Sequence, residues 1–359
     1  MPWNSEGLED FSAARLLPAA YSGSDEKYTV QMDGAWWMLK FGSALPPDKS
    51  KPLLGSYNNA PISEHIACQV ANLIGIKAQE TRLGTYRGRL VVACRDFVRN
   101  TDIPSELIEF SKLENSTEGA SLANRKTPEY GFTMRILKGS PFLEPIRDEA
   151  ISRFWQTLCL DALVGNHDRH ASNWGYLADR STMVLYACAP VYDCASSLCP
   201  MLAESRMEPI MSSRETHRNR VLGRPKARLL VNGQRMRYGD FLCSELGTEA
   251  RMELTRLFEK IDLGEISKLV WSTPAASETY RRFICSEIAL RKSLLLEPAY
   301  KLAKTELAAA AKACDIEAMR AISANPTLVE TASQVCGASD RTDIPAPCPH
   351  DEREGGMEP

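Results

Sequence analysis

The segment from Leu163 to Leu198 constrains this chain more than any other part of its sequence. Within 26 residues it places Asp168, Asn173 and Asp193, each beside a predicted turn or at the end of a predicted strand. Short polar side chains at such positions can point into a cleft. The segment therefore predicts a polar cleft that is lined by two carboxylates and one carboxamide.

This set of side chains is the one that phosphoryl transfer requires. Asp168 would face the attacking hydroxyl, while Asn173 and Asp193 would hold Mg²⁺ against the phosphates of ATP. His170 follows the base by two residues. It would either donate to the transferring phosphoryl group or fix the loop by a hydrogen bond, and the sequence favours neither interpretation. The pattern predicts a kinase.

A lysine and a glutamate upstream would form the other wall of the cleft. Lys40 ends the predicted strand over 36–40, and Glu64 lies near the start of the helix that follows. A lysine placed in this way can pair with nucleotide phosphates and be held by the carboxylate. The alternative is that Lys40 lies at an exposed strand end.

A turn of small residues precedes that strand. Backbone N–H groups in such a turn can approach a phosphate, and a lysine adds positive charge. An ordinary polar turn is the alternative interpretation. The residues concerned are Ser22, Gly23, Ser24 and Lys27.

The chain as a whole predicts an α+β fold with a sheet-rich N-terminal lobe and a mostly helical C-terminal lobe. Two hairpins are expected to turn at Asp33-Gly34 and at Arg87-Gly88, with a helix capped by Ser63 between them. A short helix is expected over 106–113, and a long buried helix over 145–165 that leads into the central segment. The expected divisions are a lead-in (1–17), an N-lobe (18–98), a C-lobe (99–324) and a disordered tail (325–359).

Together these motifs resemble the HipA family of serine/threonine kinases, the toxin half of bacterial toxin–antitoxin modules. The family's catalytic pattern, Asn-x-Asp-x-His-x-Lys-Asn, is matched over 166–173, and its later Pro-x-Tyr-Asp segment over 190–193. Its glycine-rich GAxxK segment is echoed over 23–27. The resemblance covers roughly residues 18 to 300 and implies a two-lobed kinase fold.

The resemblance also implies cofactors, a hinge and a class of substrate. ATP and Mg²⁺ would be the cofactors, and the backbone of Arg95, Asp96 and Phe97 would bind adenine. The acceptor would be a protein hydroxyl, and kinases of this family typically modify aminoacyl-tRNA synthetases.

Three departures from the family pattern are present. Ser172 stands where lysine is usual in the catalytic pattern, and Ala20 aligns with the serine at which these kinases phosphorylate themselves, a role that Ser22 or Ser24 could take instead. The chain also resembles the shorter, stand-alone forms without the N-terminal domain that contacts the antitoxin. An antitoxin partner is therefore left open, or would dock differently.

The segment Arg206–Arg237 holds nine lysines and arginines against two glutamates. A solvated basic face is one interpretation. The other is a docking surface for an acidic protein or an RNA-bound substrate, because phosphate contacts need only cationic side chains.

Two other classes of protein remain to be weighed. A metal-dependent phosphohydrolase of the HD type would use His65, His167, Asp168 and Asp193, but it would leave Lys40 and Asn173 without a role. A non-catalytic kinase-fold binding module would be expected to lack at least one residue of the set Lys40, Asp168, Asn173 and Asp193, and all four are present.

No apolar run approaches the roughly 20 residues of a membrane span, and the N-terminus lacks a signal-peptide pattern, so a cytoplasmic protein is expected.

Overall fold

The computed structural model describes residues 7–18, 26–42, 59–118 and 127–324. The chain divides into two compact units, residues 1–304 and 305–359. The strands found within the described ranges are β1 (Glu9–Asp10), β2 (Leu17–Pro18), β3 (Lys27–Met32), β4 (Ala35–Phe41), β5 (Thr81–Tyr86), β6 (Arg89–Arg95), β7 (Ser105–Glu109), β8 (Gly175–Asp179), β9 (Leu185–Cys188), β10 (Lys226–Val231) and β11 (Gln234–Arg237). The helices are α1 (Ala60–Leu73), α2 (Phe110–Glu118), α3 (Tyr130–Gly139), α4 (Arg147–Val164), α5 (Glu204–Ser212), α6 (Arg214–Gly223), α7 (Tyr238–Leu242), α8 (Thr248–Leu257), α9 (Leu263–Ser272), α10 (Glu278–Arg291) and α11 (Glu297–Ala324).

The first six strands form one sheet in the order β1-β5-β6-β4-β3-β2. Both predicted hairpins are confirmed, since β3 pairs with β4 across Asp33-Gly34 and β5 pairs with β6 across Arg87-Gly88. All four turn residues have positive φ, the geometry that suits the right-handed twist of paired strands. Strand β1 pairs with β5, so residues 9–10 of the expected lead-in belong to this sheet.

Alternation along β4 determines where Lys40 points. Trp37, Leu39 and Phe41 are buried on one face of the sheet, where they pack in a cluster with residues of β3, β5 and β6. Because successive side chains of a strand point to opposite faces, Met38 and Lys40 take the other face. That face of the sheet lines the cleft.

Helix α1 covers the cleft side of the sheet, but it does not begin as expected. It starts at Ala60 after Asn59, with Pro61 in its first turn, a position that proline tolerates because the first N–H groups have no helical partner. Ser63 is not the cap. It is fully buried inside the helix, and its hydroxyl donates to the carbonyl of Ser197.

The predicted long helix is confirmed as α4, which ends at Gly165 in a left-handed conformation with φ of 66°. A Cβ at Gly165 would lie 2.9 Å from the guanidinium of Arg291, so glycine is required for both reasons. The prediction of a helix over 106–113 is wrong for the first half of that range, and α2 begins only at Phe110. Residues 105–109 form β7, which pairs with β8 some 70 residues later along the chain.

The prediction of a mostly helical C-terminal lobe is confirmed, since α8 through α11 follow one another within the described part of the chain without an intervening strand. Before them, β10 and β11 pair across Asn232-Gly233. The predicted tail lies outside the described residues. Within the described ranges, no helix combines the length and apolar character needed to cross a bilayer.

Candidate active site

A cavity of about 360 Å³ lies between the N-terminal sheet and the loop that follows α4. This volume falls in the range of small-molecule sites. Most of the predicted site residues line it, although they are far apart in the sequence. These residues are Lys27, Lys40, Asp96, Phe97, Asp168, His170, Asn173 and Asp193. Ser22, Gly23, Ser24 and Ala20 lie outside the described residues.

Lys40 lies between two carboxylates in this cavity. Its Nζ is 3.3 Å from Oε2 of Glu64 and 3.1 Å from Oδ1 of Asp193, which is 153 residues away in sequence. Burial alone would lower the pKa of Lys40, but the charges of Asp193 and Glu64 outweigh it and hold that pKa well above its usual value. Lys40 is therefore a fixed cation at the centre of the cleft.

Asp193 adopts an unusual backbone conformation for a residue other than glycine. Its φ is 57°, in the left-handed region, and such a conformation costs on the order of 1–3 kcal/mol. The positive charge of Lys40 lowers the pKa of the Asp193 carboxyl group. The predicted strand before Asp193 is β9, which already ends at Cys188, and Val191 beyond it forms only a single bridge, to Ala78. Strain of this kind concentrates where a side chain must be aimed at a ligand.

The loop over 166–173, which carries the predicted base, is held by amide side chains. Oδ1 of Asn166 accepts from the backbone N–H of Asp168 at 2.9 Å, and Nδ2 of Asn166 donates to Asp161 at 3.1 Å. Nδ2 of Asn173 donates to the carbonyl of Asp168 at 2.8 Å. Because the amide nitrogen of Asn173 is used in this way, its side-chain oxygen is the atom left to bind a cation.

Arg169 connects the two halves of the site, and its role was missed in the sequence. It is buried, and Nε donates to Oδ2 of Asp161, another buried residue, at 3.1 Å. Nη1 donates to the carbonyl of Asn173 at 2.8 Å and to that of Tyr192. One guanidinium therefore fixes the backbone of Asn173, one expected metal ligand, and of the residue before Asp193, the other.

His170 and the departure at Ser172 are linked to the rest of the loop. Nδ1 of His170 accepts from the backbone N–H of Ser172 at 3.3 Å, so the loop-fixing interpretation has a bond to support it. The hydroxyl of Ser172 donates to Ser111 at 3.0 Å, and its carbonyl accepts from Tyr192. In place of the usual lysine, this chain has a neutral hydrogen-bonded serine facing the cavity.

The far end of the cavity is formed by Asp96, Phe97 and Gln79. The carboxylate of Asp96 accepts from the N–H groups of Val98 and Arg99, which fixes the turn after β6. The backbone N–H of Asp96 donates to Trp36, so this group is used within the sheet. Gln79 donates through Nε2 to the carbonyl of Arg95, while its buried Oε1 has no hydrogen-bond partner. An unsatisfied buried acceptor at this end suits a ligand with an amino group.

Arg228 is a second residue that the sequence did not single out. Its Nη1 lies 3.1 Å from Oδ1 of Asp168, and only 17% of its side chain is exposed. It comes from β10, within the basic segment Arg206–Arg237. Part of that segment therefore reaches the site itself.

The hydrolase alternative is not supported by the position of His65. Nδ1 of this residue lies 3.0 Å from the hydroxyl of Thr81, and neither His65 nor His167 lines the cavity. Among the described residues, no group of three or more His, Cys, Asp and Glu side chains is arranged to hold a metal.

The burial of His65 predicts sensitivity to acid. Burial lowers the pKa of His65 from 6.5 to about 4. The folded protein therefore binds a proton at His65 less readily than the unfolded chain does. The contribution of His65 to stability is complete above its unfolded pKa of 6.5, and it is lost as the pH falls toward the folded value. We expect the free energy of unfolding to fall by about 2 kcal/mol between pH 7 and pH 5 because of this residue. Urea unfolding of the wild type and of His65→Gln at both pH values measures this loss, and equal losses in both proteins would contradict the prediction.

Comparisons with known proteins show the family to which the chain belongs. Residues 19–254, more than half of the chain, match the HipA-like C-terminal domain. The serine/threonine-protein kinase CtkA of Helicobacter pylori strain J99 is 30% identical over 294 residues, which cover 81% of this chain and 87% of CtkA. The crystal structure of H. pylori CtkA matches with a TM-score of 0.71 and 28% identity, over 84% of this chain and 99% of that one.

A more distant likeness adds nothing further. HipA of Shewanella oneidensis, solved with HipB and its operator DNA, is 12% identical, with a TM-score of 0.48 over 79% of this chain and 67% of that one.

The likeness to CtkA shows that the fold is that of a kinase and that the enzyme class is serine/threonine-protein kinase. The chain belongs to the HipA-like family of these kinases.

Proposed function

We propose that this enzyme transfers the γ-phosphate of ATP, in the presence of Mg²⁺, to a serine or threonine hydroxyl of a protein. The observation that carries this proposal is the meeting of Lys40, Asp168 and Asp193 in one cavity of about 360 Å³. A fixed cation, a base and an acidic metal ligand are the components of a phosphoryl-transfer site. Such a site works mainly by positioning and by neutralising charge.

The nucleotide would lie along the cleft face of the sheet. Lys40, held by Glu64, would contact the α- and β-phosphates, and Lys27 opposite it on β3 would add a second cation. A phosphate contact by Ser22, Gly23 and Ser24, which lie outside the described residues, stays a prediction from the sequence. Adenine would bind at the opposite end, against Phe97 and the hinge that Asp96 stabilises, with the unpaired Oε1 of Gln79 as an acceptor for its amino group.

The metal would be held by Asn173 and Asp193. Both side chains offer oxygen atoms as ligands, which hard cations such as Mg²⁺ prefer. The side-chain oxygen of Asn173 and the carboxylate of Asp193 fit this use, because Arg169 fixes the backbone next to each of them. When bound, the metal supplies charge neutralisation on the phosphates.

Asp168 would orient the acceptor hydroxyl and receive its proton. Its backbone is fixed by Asn166 and Asn173, so its carboxylate is positioned before the substrate arrives. His170 would donate to the phosphoryl group through the ring nitrogen that Ser172 does not use. An aminoacyl-tRNA synthetase as substrate and an antitoxin as partner stay predictions from the family resemblance.

Nucleotide binding can be measured by thermal unfolding. ATP with Mg²⁺ at about 100 times its Kd should add about 2.7 kcal/mol of stability, a rise in Tm of about 4 °C for a chain of this length. Asp193→Asn should remove the part of this rise that depends on Mg²⁺, while Asp102→Asn, at an exposed position, should not. No rise with ATP and Mg²⁺, or the same rise with EDTA, would contradict the proposal.

A further inference from the structure

The β10–β11 hairpin places two arginines beside the catalytic loop. Nη1 of Arg228 is 3.1 Å from Oδ1 of Asp168. Nη2 of Arg235 donates to the carbonyl of His167, the residue before Asp168, at 3.3 Å, and Nε donates to the carbonyl of Ala227 at 3.2 Å. Both guanidinium groups therefore lie next to the base, but they have different partners.

The hairpin geometry explains why both side chains reach the same place. Ala227 and Leu229 are buried against the core, so Arg228 between them points to the other face of β10. Arg235 pairs with Leu230 in an antiparallel register that shifts between Lys226 and Leu230. Nε of Arg235 donates to the carbonyl of Ala227, the residue before Arg228, so its side chain lies beside the part of β10 that carries Arg228.

The charges at this position are not balanced. Asp168 is the one carboxylate that forms an ion pair with Arg228, and no carboxylate of the described ranges lies within ion-pair distance of Arg235. Both acceptors of Arg235 are neutral carbonyls. Partial burial, followed by the charge of Arg228, lowers the pKa of Arg235. The buried Nε of Arg228 also has no hydrogen-bond partner. One carboxylate thus stands against two half-buried cations and pairs with only one of them, which leaves positive charge in excess beside the base.

We infer that Arg228 and Arg235 form a binding site for an acidic side chain of the protein substrate, close in sequence to the serine or threonine that is phosphorylated. The inference rests on the proposed function, because Asp168 marks where the acceptor hydroxyl would bind. A carboxylate can engage a guanidinium by two parallel hydrogen bonds, so the site would select aspartate or glutamate over their amides. Residues within a few positions of the acceptor lie close enough to reach it.

A peptide carboxylate fits the site better than an RNA backbone does. Binding to nucleic acid uses a run of cations that follows successive phosphates. Here Arg220 pairs with Glu287 and Arg237 pairs with Asp240, so these two cations of the basic segment already have carboxylate partners within the protein. Two arginines at a single point can accept one small anion.

The test measures the binding of fluorescent serine peptides in the presence of ADP and Mg²⁺. One aspartate is placed in turn at each of the three positions on either side of the serine, and every peptide has an asparagine counterpart. At one position or more, the aspartate peptide should bind about tenfold more tightly than its counterpart. Arg235→Gln should reduce this ratio to within about twofold, because one charge-assisted contact is lost. Arg237→Gln on the same hairpin is the matched control and should keep the ratio.

The outcomes separate this inference from the proposed function. Equal binding of aspartate and asparagine peptides at every position would overturn the inference, as would a ratio that Arg235→Gln leaves unchanged. Binding of a single-stranded RNA that depends on Arg235, with no preference among the peptides, would assign the site to nucleic acid instead. Aspartate-selective binding without phosphate transfer from ATP would support the inference and contradict the proposed function. Phosphate transfer from ATP without aspartate-selective binding would support the proposed function and contradict the inference.

Discussion

Replacing Asp168 with alanine should lower the rate of phosphate transfer by about 10³-fold, the usual contribution of a positioned base. The carboxylate lies at the cavity wall, so its removal deletes the base and its ion pair with Arg228, while the backbone bonds that Asn166 and Asn173 make to the loop remain. The affinity for ATP and Mg²⁺ should change little, because the phosphate and metal contacts belong to other residues. The measurement is the initial rate of transfer from labelled ATP, together with nucleotide affinity and Tm.

The control for this variant is Asp102→Ala, which removes an exposed aspartate outside the cavity. Its rate should equal that of the wild type. If Asp168→Ala kept full activity, the assignment of the base would be wrong. If it lost activity only together with its fold, Asp168→Asn, which preserves shape, would decide the matter.

Replacing Arg169 with methionine should have the largest effect on stability, about 3–5 kcal/mol. Arg169 and Asp161 form a buried ion pair, in which both Nε and Nη2 of the arginine donate to the carboxylate. Removing the arginine leaves a buried carboxylate without its counter-charge and frees the carbonyls of Asn173 and Tyr192. Urea unfolding at pH 7 measures the loss.

A double variant distinguishes charge from packing. Adding Asp161→Asn to Arg169→Met removes the unpaired charge at nearly constant volume, so the double variant should be more stable than the single one. A single variant that lost less than about 1 kcal/mol would show that the pair is not a structural link. A double variant that was less stable than the single one would show that charge is not the cause.

The parts of the fold that follow local rules were predictable from the sequence. Asp33-Gly34 and Arg87-Gly88 are turn signals because few residues accept positive φ at both central positions, and both hairpins are present. Gly165 at the end of α4 is another local signal. The direction of Lys40 also follows from alternation along its strand, because its neighbours Leu39 and Phe41 are buried on the opposite face.

Long-range pairing accounts for what the sequence did not predict. Residues 105–109 were expected to be helical, but they form β7 because β8 supplies the hydrogen bonds, and no local pattern shows that partner. Ser63 looked like a helix cap, but the chain brings the carbonyl of Ser197 to its hydroxyl and buries it.

The missed site residues have the same explanation. Arg169 stands inside the recognised catalytic pattern, yet its importance depends on the buried Asp161, which looks like any other residue of the preceding helix. Arg228 lies 60 residues after Asp168 in a segment notable only for its composition, and the folded hairpin alone brings it to the base. The roles of Asp168, His170, Asn173 and Asp193 stay predictions.

The transfer of phosphate itself tests the central claim most directly. The purified protein is incubated with γ-labelled ATP and a host lysate, with Mg²⁺ or with EDTA, and the labelled proteins are hydrolysed to identify the modified amino acid. The proposed mechanism predicts label on serine or threonine that requires Mg²⁺ and is absent with Asp168→Ala. Labelling that persists in EDTA or in Asp168→Ala, or no labelled protein with the wild type, would contradict it.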